Sequence, residues 1–222
     1  MSNSILFIHG AWLTPRSWEP FISYFEPRGY TCLAPTWPHK DLPIEELRAH
    51  PPAELAGLGI TEIVDHYARL IQEQPEPPIL IGHSFGGLFV QLLLDRGLGK
   101  AGVAIDPAPP KGVLPLSWTA IKSSSSVFFK WMAWERIVTL SFEDFCFSFV
   151  NTLAPEAQRA AYETHVVPET GRIFFQAALR VTDPSSWNEV LLVGSLKGGT
   201  PTTFETKDTR EGILSLVGMV MV

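Results

Sequence analysis

An alternation of short apolar runs with longer segments of helical periodicity constrains the fold of this chain more than any other feature. The apolar runs are Ser4–Gly10, Tyr30–Pro35, Pro77–His83 and Ala101–Pro107. The segments of helical periodicity are Ser17–Gly29, Thr61–Gln74 and Phe85–Gly97. Short, continuously apolar runs are typical of strands buried on both faces. The alternation therefore predicts an α/β fold, a mostly parallel sheet with helices on both faces.

Local signals place the ends of several elements. Gly29 ends the first helix, and Pro35 closes the second strand. The proline-rich stretch 36–59 is predicted to be a long loop with a helical turn at Ile44–Ala49. Thr61 is the predicted N-cap of the following helix, because threonine oxygens accept hydrogen bonds from free backbone N–H groups. The apolar face of that helix comprises Ile63, Val64, Tyr67, Leu70 and Ile71.

Composition and charge exclude several classes of function. The 222 residues carry a formal net charge of −6, which argues against nucleic-acid binding because such proteins need a basic surface. The N-terminus lacks the basic region of a signal peptide, and the apolar end of the chain is about half as long as a membrane span. Cys32 and Cys146 have neither metal-ligand spacing nor the pattern of a disulfide framework. We expect a soluble, cytoplasmic protein without a metal or organic cofactor.

The pattern changes after Asp106. A proline-rich exit is followed by an aromatic-rich region with helical periodicity, which predicts a helical cap at about 107–170. Residues 1–106 and about 171–222 would then form the sheet-containing core. Most of the aromatic side chains should pack the cap onto the sheet. Others should line an apolar pocket suited to a hydrophobic acyl or alkyl group.

The stretch Gly82-His83-Ser84-Phe85-Gly86 fits the pattern G-x-S-x-G between a strand and a helix. A sharp strand-to-helix turn forces its central residue into strained backbone angles, and the residues two positions away must be small. Such a turn holds the serine hydroxyl above the sheet, beside a helix N-terminus that favours negative charge. The spacing therefore indicates Ser84 as a nucleophile. His9-Gly10 followed by the small Ala11 is typical of a loop that directs a backbone N–H at a developing oxyanion.

The stretches ILFIHGAWLTPRSWEPF, ILIGHSFGGLFVQLL and GVAIDPAPPKGV together resemble the α/β-hydrolase superfamily of the esterase and lipase type. The resemblance covers roughly residues 4–180. It implies Ser84 as nucleophile, the N–H groups of Ala11 and Phe85 as the oxyanion hole, and a helical cap. His9 and His83 would shape their loops rather than transfer protons.

The family pattern also requires an acid and then a histidine after the nucleophile. The strand predicted after the cap, Asn188–Ser195, is not followed by an acid at the expected place, and no histidine occurs after His165. The C-terminal strand and helix are therefore expected to be incomplete, through truncation or an altered reading frame. Two substitutes are open: Asp106 as the acid, against a turn-capping role, and His165 as the base, against a packing role.

The sequence thus predicts a serine hydrolase that cleaves carboxylic esters of small to medium hydrophobic substrates through an acyl-enzyme. A lyase or an acyltransferase on the same site stays open. One alternative is a catalytically impaired protein of this fold that binds a small apolar ligand. Another is a homodimer in which the apolar C-terminal end pairs with a second copy, because an exposed apolar sheet edge favours association.

Overall fold

The sheet predicted from the alternating pattern is present. The computed structural model describes residues 3–108, 133–179 and 213–216. Within these residues the sheet has five strands in the order β2-β1-β3-β4-β7, and every neighbouring pair is parallel. Its strands are β1 (Ser4–Ile8), β2 (Thr31–Leu33), β3 (Ile79–His83), β4 (Ala101–Ile105) and β7 (Ile213–Leu216). In a doubly wound sheet of this strand order, ligands bind beyond the carboxyl ends of the strands at the β1/β3 junction, where the winding reverses.

Helices lie between and after these strands. They are α1 (Glu19–Phe25), α2 (Ile44–Ala49), α3 (Ile60–Gln72), α4 (Phe85–Asp95), α5 (Phe142–Ser148), α6 (Pro155–His165) and α7 (Arg172–Leu179). Short 3-10 turns add Pro15–Trp18, Glu26–Arg28, Ala53–Gly57 and Ala133–Glu135. The predicted helical turn at Ile44–Ala49 is confirmed, and Gly29 ends the α1 segment in a left-handed conformation. Among the described residues, none of the helices has the length and apolarity needed to cross a bilayer.

Apolar side chains cover both faces of the sheet. Leu6 and Ile8 of β1 belong to one buried cluster, whereas Ile5 and Phe7 of the same strand belong to another. Successive strand residues point to opposite faces, so the two clusters are the two sides of the sheet. This arrangement confirms helices on both faces.

The predicted N-cap of α3 is wrong by two residues. The helix begins at Ile60, and the residue preceding it is Gly59 rather than Thr61. The side chain of Gln176 on α7 accepts a hydrogen bond from the Ile60 N–H at 2.8 Å. A distant side chain therefore satisfies the free helix terminus, which leaves Thr61 without a capping role.

The described part of the predicted cap contains more than helices. A two-stranded antiparallel sheet joins β5 (Ile137–Val138) to β6 (Glu169–Thr170). Val138, Phe145 and Val166 share one buried cluster with Leu6 and Ile8 of the central sheet. Residues 133–170 therefore pack into the core around the sheet. The proposed boundaries of the cap at 107 and 170 remain predictions.

Two predictions concern the end of the chain. The strand predicted at Asn188–Ser195 lies outside the described residues. Part of the apolar end, Ile213–Leu216, is strand β7, which pairs with Gly102–Ile105 of β4 in the same chain. The homodimer remains a prediction.

Candidate active site

Ser84 stands at the junction of β3 and α4 in a strained backbone conformation. Its φ is 54° and its ψ is −120°, a region that residues with a side chain rarely occupy. A Cβ on Gly82 would come closer than 3.0 Å to the backbone of Gly86, so the two glycines allow the chain to turn back on itself. The sharp turn predicted from the G-x-S-x-G spacing is therefore present. The half-buried Ser84 hydroxyl lies at the N-terminus of a well-formed helix.

The loop after β1 packs directly against this turn. A Cβ on Gly10 would lie 3.1 Å from the Ser84 Cβ, and a Cβ on Gly86 would collide with the Ile8 carbonyl. The two loops therefore meet backbone to backbone at the β1/β3 junction. Among the described residues, the backbone N–H groups of Ala11 and Phe85 donate to no backbone carbonyl. Within the same residues, no side chain accepts a hydrogen bond from either group.

The exit of β4 contacts the other side of the turn. The Ser84 N–H donates to the Ile105 carbonyl at 3.0 Å, and the Ser84 carbonyl accepts from the Ala108 N–H at 2.9 Å. Asp106 lies between these two contacts, is exposed, and has a positive φ of 41°. The structure therefore places Asp106 beside the turn that carries Ser84.

His83 also belongs to this group of residues. Its Nδ1 lies 3.2 Å from the position that a Cβ on Gly10 would occupy, the same position that approaches Ser84. The ring is 9% exposed, and its Nδ1 has no hydrogen-bond partner among the described residues. Burial lowers the pKa of His83, and the negative charge of Asp106 opposes that shift. The sequence pattern predicted only a loop-shaping role for His83, because its position beside Asp106 depends on the fold.

His165 lies in a different electrostatic environment. It is the last residue of α6, and its Nδ1 is buried without a hydrogen-bond partner in the described part of the chain. Burial lowers its pKa, the positive charge of Arg16 lowers it further, and Glu19 opposes both. Within the described ranges, no hydrogen bond or ion pair joins His165 to Ser84 or to Asp106. Asp106 as the acid and His165 as the base therefore remain predictions.

The four remaining histidines occupy other environments. His9 is fully buried, stacks on Trp37 with ring centroids 4.9 Å apart, and bonds through Nδ1 to the Gly10 carbonyl at 2.9 Å. His66 is half-buried, and its Nε2 lies 3.2 Å from the Thr36 carbonyl oxygen. His39 and His50 are exposed.

Aromatic rings lie around the loops that follow β1 and β3. Phe174 packs against Trp12 at a centroid distance of 4.5 Å and against Phe85 at 5.0 Å, and Phe149 lies 6.4 Å from the His83 ring. Phe149 comes from the predicted cap region. These rings give the surroundings of Ser84 an apolar character, which strengthens electrostatic interactions there.

Nothing in the sequence indicated a buried ion pair that lies beside the Gly10 loop. Lys40 Nζ lies 2.6 Å from Glu169 Oε2, and both side chains are 0% exposed. The two residues are 129 positions apart, and neither stands in a recognisable motif. No group of three or more potential metal ligands is present in the ranges that the structure describes.

Comparison with known proteins defines the class to which this fold and site belong. A model of the alpha/beta hydrolase family matches residues 5–206. The chain therefore belongs to the alpha/beta hydrolase family. No curated protein matches its sequence significantly.

Several solved structures have a fold similar to that of this chain. An extracellular alpha/beta-hydrolase from a Paenibacillus species is 23% identical, with a TM-score of 0.57 over 75% of this chain and 66% of that one. Tomato methylketone synthase I is 14% identical, with a TM-score of 0.57 over 83% and 74%. A monoacylglycerol lipase from Paleococcus ferrophilus is 19% identical, with a TM-score of 0.53 over 80% and 66%. The chain thus spans just under two thirds of the length of the Paenibacillus hydrolase. At these identities the likeness shows a shared fold.

Proposed function

We propose that this chain hydrolyses carboxylic esters of small to medium hydrophobic substrates through an acyl-enzyme on Ser84. The observation that carries the proposal is the strained Ser84 turn, held against the Gly10 loop at the N-terminus of α4. Strained backbone persists at sites where the surrounding structure enforces it, and such sites are often functional. Ser84 is half-buried in this position, and the two loops that meet there carry the N–H groups of Ala11 and Phe85.

In the proposed reaction, Ser84 Oγ attacks the ester carbonyl carbon and gives up its proton to a base. The carbonyl oxygen becomes an oxyanion that accepts hydrogen bonds from the N–H groups of Ala11 and Phe85. Loss of one such donor typically costs about 3–4 kcal/mol of transition-state stabilisation. Collapse of the intermediate breaks the ester C–O bond, and the leaving alkoxide takes the proton as an alcohol. Water then attacks the acyl group, releases the carboxylic acid and restores the serine hydroxyl.

The surroundings of His83 favour it as the base. An imidazole that accepts a proton needs a carboxylate to stabilise the resulting cation. Asp106 supplies such a charge to His83. For His165, the positive charge of Arg16 lowers the pKa more than the negative charge of Glu19 raises it, and protonation is disfavoured. We therefore propose the set Ser84, His83 and Asp106, with His165 as the competing base.

The substrate class is inferred from the site and from related proteins. The aromatic rings of Phe149 and Phe174 favour an apolar group near Ser84. The monoacylglycerol lipase shares the fold and acts, by its name, on an ester. Methylketone synthase shares it as well, so the fold alone does not select the reaction.

The test is intact-mass analysis after treatment with a fluorophosphonate, which phosphonylates activated serines. We expect one adduct on the native wild type, and none on the Ser84→Ala variant or on heat-denatured wild type. His83→Gln should slow labelling by about 100-fold or more, in the range of general-base effects, whereas His165→Gln should change it less than about threefold. Rapid labelling of His83→Gln would exclude His83 as the base, and labelling of Ser84→Ala would exclude Ser84 as the nucleophile.

A second candidate function is binding of a small apolar ligand without catalysis. It is favoured by one observation: within the described residues, no hydrogen bond joins the Ser84 hydroxyl to an imidazole, although all six histidines are described. Absence of an adduct, together with saturable quenching of tryptophan fluorescence by a medium-chain alcohol, would support this function. Hydrolysis of p-nitrophenyl esters that depends on Ser84 would reject it.

A further inference from the structure

The loop that follows Gly10 contains a second strained residue. Trp12 has a φ of 61°, in the left-handed region that a bulky side chain rarely adopts. It directly follows Ala11, whose N–H the proposed function uses. Because such a conformation costs about 1–3 kcal/mol, the surrounding contacts must hold it in place.

Three backbone groups of Trp12 and Leu13 are bound by distant parts of the chain. The Trp12 N–H donates to Glu169 Oε2 at 3.2 Å, and the Trp12 carbonyl accepts from the Val167 N–H at 2.9 Å. The Leu13 carbonyl accepts from Lys40 Nζ at 3.0 Å. The loop is therefore held on both edges immediately after Ala11.

Lys40 and Glu169 join these contacts into one unit. Lys40 Nζ lies 2.6 Å from Glu169 Oε2, and Glu169 Oε1 accepts from the Thr170 N–H at 2.9 Å. Burial lowers the pKa of Lys40, and its contact with Glu169 opposes the shift. Burying two charges costs several kcal/mol per ion, so such a pair is weak evidence for stability. Its distinctive contribution here is geometric, because each charged group also binds the backbone of the loop.

We propose that Lys40 and Glu169 are positioning residues that hold the Trp12 peptide in place and thereby direct the Ala11 N–H toward the oxyanion. This inference rests on the proposed function for its catalytic consequence, but the fixation of the loop can be measured without activity. The pair connects the loop that follows Gly10 to β6, at the end of the predicted cap. Neither residue touches the substrate in this proposal.

The test replaces both charges at once, because loss of one partner would leave an unpaired buried charge. The variant Lys40→Met/Glu169→Leu keeps apolar bulk at both positions. The matched control is Asp65→Asn/Arg96→Met, which removes an exposed ion pair with a 2.5 Å contact elsewhere on the chain. Denaturant unfolding and near-ultraviolet circular dichroism establish that each variant is folded.

Two readouts are compared between wild type and variants. The first is amide hydrogen exchange of the peptide containing Ala11–Leu13, which should accelerate at least tenfold in the buried-pair variant and remain unchanged in the control. The second is fluorophosphonate labelling as a function of probe concentration. The maximal rate kinact should fall about 10- to 100-fold with little change in KI, because a donor misplaced by about 1 Å can cost 100-fold.

The conservative variant Glu169→Gln provides a second test. It can be measured even if the double variant does not fold. Glutamine retains an oxygen that can accept from the Trp12 N–H, so exchange and kinact should stay closer to wild type than in Glu169→Leu. Exchange at Ala11–Leu13 that is unchanged in the folded double variant would overturn the proposal. Faster exchange with an unchanged kinact would overturn the positioning role. If wild type itself is not labelled, the proposed function fails, and the exchange result alone decides whether the pair holds the loop.

Discussion

Replacing Ser84 by glycine should stabilise the folded protein while abolishing its labelling by fluorophosphonate. The φ of 54° and ψ of −120° at Ser84 are strained for a residue with a side chain, at a cost of about 1–3 kcal/mol. Glycine adopts such angles freely but loses about 0.5–1 kcal/mol through the greater freedom of the unfolded chain. The expected net gain is about 1 kcal/mol, which corresponds to about 2–4 °C in Tm for a chain of this size.

Thermal unfolding of Ser84→Gly and Ser84→Ala separates this strain from loss of the hydroxyl. Alanine removes the hydroxyl and keeps the Cβ, so the stability difference between the two variants reports the backbone alone. Ser148, which ends α5, is the matched control position, because its backbone is helical. There glycine should be less stable than alanine, the usual order in helices. A Ser84→Gly variant that is less stable than Ser84→Ala would refute the argument that strain is stored at this turn.

Two other predictions concern stability. Burial, followed by the positive charge of Lys40, lowers the pKa of His9 well below its usual value. At mildly acidic pH the unfolded chain therefore binds a proton at His9 that the folded chain does not. Stability should therefore fall as the pH falls below about 6.5, by at most about 2 kcal/mol for one such histidine between about pH 7.5 and about pH 5. Urea unfolding should show that His9→Asn reduces this slope and that the exposed His50→Asn does not; equal slopes would contradict the assignment. Gly86→Ala should destabilise the fold by about 1–3 kcal/mol, because its Cβ would collide with the Ile8 carbonyl, whereas Gly57→Ala, where a Cβ meets open space, should be nearly neutral. Equal unfolding midpoints for these two variants would show that the loops after β1 and β3 can separate at little cost.

The sequence predicted the features that are encoded locally. The run Ile79–His83 followed by Ser84 and two glycines contains, within a few residues, the strand, the turn and the helix start that the structure shows. The alternation of apolar runs likewise predicted a parallel sheet, because buried strands need apolar residues on both faces. Such features require no knowledge of distant contacts.

Features that depend on distant contacts were not predictable in this way. The start of α3 is set by Gln176, more than one hundred positions away, and a local propensity argument therefore chose Thr61 instead. The same reason hid the position of Asp106 beside His83, since His83 ends β3, Asp106 follows β4, and only the sheet brings these strand ends together. The Lys40–Glu169 pair has no sequence signature, because only the fold brings the two side chains to the backbone groups that they bind.

The two donors of the proposed oxyanion hole differ in the same way, because one depends on local contacts and the other on distant ones. The Phe85 N–H is placed by the turn between β3 and α4, so its position follows from residues next to it in the chain. The Ala11 N–H belongs to a loop whose next residue is strained and is held by Val167 and Glu169, far along the sequence. Changes in the segment that carries these two residues should therefore alter only the Ala11 donor and leave the Ser84 turn intact. Under the proposed function, the chain can thus keep the Ser84 turn intact while its capacity to stabilise an oxyanion depends on how the segment before α7 docks.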